Sequence, residues 1–163
     1  MRYILDTSAL IRHPELLAYA EGRDLVIPDF IAEDFASRGR PSIQARNNEL
    51  LTAAVSRGVV VLSSDRYRIS PRMPTRFSGV DFKLVNFLLR FEEHFGKGAN
   101  TLVTLDRELI KSVRELGVSV ISPNELLEHL KGKGGNEAVL LMASRNEKGD
   151  WRRLLAAFVV GIS

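Results

Sequence analysis

Short aliphatic runs alternate with amphipathic stretches along most of the chain. Residues 2–5 (Arg-Tyr-Ile-Leu) form the first run and end at Asp6-Thr7-Ser8, which suits a buried strand passing into a helix cap. Leu10, Ile11, Leu16 and Leu17 then recur at near-helical spacing, with Pro14 dividing the stretch into two pieces. Residues 24–27 read as a second strand, and Pro28 opens a helix whose Phe30, Ile31 and Phe35 face the core until Gly39. A helix over 41–57 carries the stripe Ile43, Leu50, Leu51, Ala54 and Val55. Residues 59–62 form a third strand. Residues 63–79, with two prolines and a glycine, read as a long loop or irregular hairpin of the kind that is functional or mobile. Asp81 begins a helix apolar on more than one face (Leu84, Val85, Phe87, Leu88, Leu89, Phe91). Strands over 101–105 and 118–121 follow, with a helix over 107–116 between them and a short helix from Pro123 to Leu130 after them. Five strand–helix alternations predict an α/β fold, an α/β/α sandwich with a central parallel five-stranded sheet and helices on both faces. The composition breaks at 131–137 (Lys-Gly-Lys-Gly-Gly-Asn-Glu). The expected organisation is therefore a domain over 1–130, a linker over 131–137 and a C-terminal extension over 138–163. In that extension Asp150 caps an amphipathic helix with Trp151, Leu154, Leu155, Phe158 and Val159 on one face.

A chain of 163 residues is long enough to bury one core without disulfides or a structural metal. The absence of cysteine excludes thiol catalysis, Cys-ligated zinc and Fe–S clusters. His13, His94 and His129 are too widely spaced to form a ligand pair. No apolar run reaches the roughly 18 residues of a membrane span, and the acid at position 6 does not suit a signal peptide. A cytoplasmic protein without a membrane partner is expected. The net charge of +3 is modest, but its distribution is uneven. Arg66, Arg68, Arg72 and Arg76 fall in the long loop, and Arg38, Arg40 and Arg46 form a looser group. Such clusters suit a phosphate backbone, or simply a solvated surface.

Four acids change the picture. Asp6 and Asp106 lie at the carboxyl ends of strands one and four, where open parallel sheets place their ligand sites. Glu33, in the helix after strand two, and Asp81, before strand four, have access to the same crevice. Taken singly, each is explained as a helix cap, a dipole partner or a surface residue. Gathered in one crevice, carboxylates about 4 Å apart repel by roughly 4 kcal/mol per pair at an effective dielectric near 20, so protons or cations must neutralise them. Oxygen-only donors select Mg²⁺ or Mn²⁺, ions suited to phosphodiester hydrolysis. No P-loop and no Ser-His-Asp or Cys-His arrangement is present.

On these residues the chain resembles the PIN domain, the fold shared by VapC-type toxins and many RNA-processing nucleases. The resemblance is carried by Ile4-Leu5-Asp6-Thr7-Ser8-Ala9-Leu10-Ile11, by Val26-Ile27-Pro28 with Glu33 five residues on, by Asp81 before its apolar helix, and by Val103-Thr104-Leu105-Asp106. It covers about residues 2–122, and through about residue 57 it is strongest to PIN domains joined to PhoH-type ATPases. Phe82, Leu84, Asn86 and Phe87 are bulkier than that pattern, and Arg107 directly follows Asp106. The resemblance implies strand order 3-2-1-4-5 and a Mg²⁺- or Mn²⁺-dependent endoribonuclease. Asp6, Glu33, Asp81 and Asp106 would be its metal-binding and catalytic acids, with the hydroxyls of Thr7, Ser8 and Thr104 beside them. Arg66, Arg68, Arg72 and Arg76 would hold the RNA. It further implies a homodimer and, for a toxin, an antitoxin partner; RNA processing is the other role. The alternative is a catalytically silent PIN fold that binds RNA or protein.

Overall fold

In a computed structural model the sheet is built from runs that are apolar on both faces. The structure describes residues 2–19, 24–64 and 68–132. Strand β1 (Arg2–Leu5) leads through α1 (Thr7–Arg12) and α2 (Leu16–Tyr19) to β2 (Leu25–Pro28). Helices α3 (Asp29–Ser37) and α4 (Pro41–Ser56) connect β2 to β3 (Val60–Leu62). The chain continues through α5 (Gly79–Phe95), β4 (Asn100–Val103), α6 (Arg107–Glu115) and β5 (Ser119–Ile121) to α7 (Pro123–Gly132). All strand pairs are parallel, in the order β3-β2-β1-β4-β5.

Successive strand residues face opposite sides, so the sheet divides the core in two. Leu5, Leu25, Ile27, Val61 and Val103 face one half, closed by α1, α2, α3, α4 and α7. Ile4, Val26, Val60, Leu62 and Leu102 face the other, closed by α5 and α6. This two-sided burial explains why the strands read as unbroken apolar runs. The chain builds outward from β1 to β3, then crosses to β4 on the other side of β1. With right-handed crossovers, that reversal moves the following helices to the opposite face. The reversal makes the carboxyl ends of β1 and β4 the switch point.

Several boundaries differ from the sequence expectation. Pro28 ends β2 and caps α3 instead of opening the helix. Helix α5 begins at Gly79, with Asp81 in its first turn. Helix α7 runs to Gly132, so the first two residues assigned to the linker are helical. Ile43, placed on the apolar stripe of α4, is instead 39% exposed, covering Gly39 with side-chain atoms 3.2–3.4 Å from where a Cβ would sit. The remainder of the linker and the C-terminal extension lie outside the described residues. No helix among the described residues is long and apolar enough to cross a membrane.

The segment after β3 is tied down where it is described. Asn86, one of the bulky departures in α5, is buried, and its Oδ1 accepts from the Ser70 backbone N–H at 2.7 Å. Its Nδ2 donates to the Arg68 carbonyl at 3.3 Å. The hydroxyl of buried Ser70 donates to Glu93, which lowers the Glu93 pKa, as do the hydrogen bond and charge of Arg90. The amide of Asn86 thus serves as a staple, and no strand pairing forms in the described part of this segment.

Candidate active site

The pairing of β1 with β4 runs to Leu5 opposite Val103, so the next residues, Asp6 and Thr104, leave the sheet side by side. The Asp6 N–H still donates to the Val103 carbonyl at 3.1 Å. Asp6 then caps α1, its Oδ1 accepting from the Thr7 N–H at 2.7 Å. Its Oδ2 accepts from the Thr104 hydroxyl at 2.7 Å and the Ser8 hydroxyl at 3.1 Å. Three donors from two elements therefore orient one carboxylate. Thr104, fully buried, also accepts from the Asp106 N–H at 3.1 Å, while Ser8 accepts from the Leu105 N–H at 3.1 Å. The two hydroxyls lie 3.2 Å apart. One hydroxyl pair thus links the turn after β1 to the turn after β4. The Thr7 hydroxyl is buried but has no partner among the described residues.

Asp106 caps α6, with Oδ1 accepting from the Glu108 and Leu109 N–H groups at 3.0 and 3.1 Å. Its Oδ2 takes no hydrogen bond among the described residues. Asp81 stands exposed in the first turn of α5. Its pKa is raised, first by partial desolvation, then by the charges of Asp106 and Asp6. The three aspartates therefore share one field, and none forms an ion pair among the described residues. The two caps, Asp6 and Asp106, each have a local structural purpose, yet with Asp81 three acids from separate elements bring negative charge together.

The other expected site residues are Glu33 and the arginines of the segment after β3. Glu33 is exposed on α3 and is not among the charges that raise Asp81. Arg66 falls outside the described residues, and Arg68 is exposed. Arg72 pairs with Glu92 at 3.2 Å and donates to the Leu116 carbonyl at 2.9 Å, joining the C-terminal ends of α5 and α6. Glu92 follows Asp81 by eleven helical residues, about 16 Å at 1.5 Å per residue. Arg76 pairs with Glu115 at 3.2 Å, in the last turn of α6. Arg72 and Arg76 are thus bound to carboxylates toward the far ends of the helices whose N-termini carry Asp81 and Asp106. Any RNA contact by these two residues is therefore made away from the acids.

One acid was not singled out in the sequence. Asp29 follows β2 directly and so stands at the same sheet edge as Asp6, its Oδ1 accepting from the Phe30 N–H at 2.8 Å. Its signal was an acid immediately after an apolar strand run, the pattern shared by Asp6.

An open cleft of about 560 Å³ adjoins Asp6 on the α1 side, lined by Thr7, Ser8, Ile11, Arg12, His13, Arg38, Leu105 and Asn124. Among the described residues no three acids or histidines converge as ligands of a single ion.

Comparison with known proteins supports the fold. No protein-family profile matches the chain, and no curated protein matches it. A solved structure does: a PilT N-terminus domain protein from the hyperthermophilic archaeon Sulfolobus solfataricus P2, 20% identical, superimposes with a TM-score of 0.53. The match covers 80% of this chain and 93% of that one. Together with the strand order, this likeness shows a PilT N-terminus, or PIN, fold.

Proposed function

We propose that this chain is a cytoplasmic, metal-dependent endoribonuclease that hydrolyses RNA phosphodiester bonds, as a toxin or in RNA processing. The observation that carries the reading is the gathering of Asp6, Asp81 and Asp106 from three elements at the switch point, without a countercation among the described residues. All the available donors are hard oxygens, which suit Mg²⁺ or Mn²⁺. Mg²⁺ commonly keeps several waters and binds one or two carboxylates, so the lack of three converging ligands fits it. Such an ion, when bound, activates water and stabilises the leaving oxygen.

The chain's own residues hold and orient that chemistry. Asp6 is fixed by its three donors and is the principal ligand. Asp106 contributes the oxygen not used in capping α6. Asp81, exposed and without a fixed partner among the described residues, completes the shell directly or through water. Thr104 and Ser8 keep the Asp6 and Asp106 turns in register. Glu33 acts through water from α3. RNA as substrate follows the PIN resemblance, and the same assay compares DNA.

A second reading is a PIN fold that binds RNA or protein without cutting, which the exposed Arg12 beside the Asp6 turn would serve whether or not the acids act. The test is cleavage of mixed-sequence single-stranded RNA and DNA with Mn²⁺, Mg²⁺ or EDTA, beside Asp6→Asn and Asp106→Asn. The nuclease reading expects metal-dependent RNA cleavage that both substitutions abolish. EDTA-insensitive binding without cleavage supports the silent module, and cleavage surviving both substitutions removes the acids from the chemistry.

A further inference from the structure

We infer that the cleft beside Asp6 is a subsite for the strand being cut, with Arg12 and Arg38 holding phosphates that flank the acid centre and Ile11 and Leu105 packing against a base or sugar. The inference deepens the nuclease reading and rests on it. Its starting point is that Arg72 and Arg76 are anchored toward the far ends of α5 and α6, so cations nearer Asp6 must offset the charge of an approaching strand. The cleft supplies them at the correct edge of the sheet. Thr7, Ser8 and Leu105 belong to the turns that position Asp6 and Asp106, and all three line it.

Arg12 ends α1 and is exposed, with no ion pair or side-chain hydrogen bond among the described residues. Arg38 is held in place. The last carbonyls of α3, on Phe35 and Ala36, accept from the Asn47 and Asn48 side chains of α4 at 3.0 and 3.4 Å. Gly39, at a φ of +85°, turns the chain, and its carbonyl accepts from Gln44 at 2.8 Å. Asp34 orients the Arg38 guanidinium through Nε at 3.3 Å and Nη2 at 3.1 Å. That pair partly offsets the Arg38 charge, and His13 is likewise held by Glu15 at 3.0 Å. Arg12 therefore carries the larger uncompensated charge.

The cleft also contains apolar surface that a free phosphate does not require. Ile11 is 45% exposed and Leu105 40%, and the Asn124 amide stands among the lining groups. Two cations beside two exposed aliphatic side chains match a nucleotide of a single strand, which offers a phosphate and a base together.

The test is fluorescence anisotropy of a labelled single-stranded RNA on the full chain carrying Asp6→Asn, so that bound RNA stays intact. Arg12→Ala should weaken binding by roughly tenfold, and Arg12→Ala/Arg38→Ala further. The slope of log affinity against log salt should fall by about 1.4 in the double variant, from two lost phosphate contacts at about 0.7 each. Arg114→Ala, an exposed cation in the last turn of α6, should change binding less than twofold. Unchanged affinity and slope in the double variant, or a larger loss with Arg114→Ala, overturn the subsite. So does an oligoglutamate peptide that competes as well as an oligouridylate of equal charge, which assigns the cleft to an acidic protein segment. Wild-type cleavage is measured alongside. Cleavage with unchanged binding in the double variant rejects the subsite and leaves the nuclease standing. Binding lost in the double variant without any metal-dependent cleavage by the wild type does the reverse.

Discussion

Thr104→Val removes one oxygen from the centre of the site and leaves the side-chain shape nearly unchanged. The hydroxyl is fully buried, donates to Asp6 at 2.7 Å and accepts from the Asp106 N–H at 3.1 Å. A hydrogen bond to a charged group contributes about 1.5–3 kcal/mol, and an amide left without its acceptor adds about 1. Asp6 is 8% exposed, so water recovers part of its loss, and the expected destabilisation is about 2–3 kcal/mol. For a domain of this size that corresponds to a melting temperature lower by about 4–12 °C. Urea denaturation measures it directly, with Thr104→Ser as the partner variant that keeps the hydroxyl and loses only a buried methyl. Because Thr104 orients a proposed ligand, Mn²⁺ affinity should also fall, by about 10–100-fold. A Thr104→Val protein within about 0.5 kcal/mol of the wild type, binding Mn²⁺ equally well, refutes the claim that this hydroxyl couples the two acid turns.

Three further outcomes follow from the packing and the charges. Asn86→Ala leaves the buried Ser70 N–H unpaired and should cost about 1–3 kcal/mol by urea denaturation, with faster tryptic cutting at Arg68 or Arg72; unchanged proteolysis counts against the staple. The folded pKa of Asp81 is raised above its ordinary 3.8, so its favourable contribution is present below the unfolded value and lost as pH rises through the folded one. Asp81→Asn should therefore match the wild type near pH 3, exceed its stability at pH 7 in the absence of divalent ions, and lose part of that advantage in high salt. A less stable variant at pH 7 contradicts the shared field. Gly39→Ala forces a side chain into a left-handed backbone conformation against Ile43 and should lower the urea midpoint, whereas Gly96→Ala, with open space around it, suffers only the backbone cost.

The acid pair was legible because strand ends are marked locally. Asp6 and Asp106 each follow an apolar run and begin a helix, and parallel topology alone brings such positions to one edge. Thr104 was legible for the same reason, two residues before Asp106. Asp81 sits within the first turn of its helix, where its position depends little on helix phase. Glu33 is less legible, because its reach depends on the phase of α3, which the sequence around it does not fix. The partners of the arginines are not legible because they are distant in sequence: Arg72 meets Glu92 and Leu116, and Arg76 meets Glu115. A cluster of like charges says nothing about which of its members is already paired. Arg12, a lone cation at a helix end, gave no sequence signal, because Arg38 and Asn124 join it only through the fold. Asn86 stands out as bulky in the sequence, but the backbone groups it satisfies belong to a loop without periodicity.

The most direct test of the central claim is Mn²⁺ binding by the full chain, followed by electron paramagnetic resonance in wild type, Asp6→Asn, Asp106→Asn and Arg76→Ala. The account predicts saturable binding in the wild type, loss in both aspartate variants, and no change in Arg76→Ala, whose guanidinium is engaged with Glu115 in the last turn of α6. Folded aspartate variants that bind Mn²⁺ as the wild type does, or a wild type that binds none, contradict a cation site built on these carboxylates.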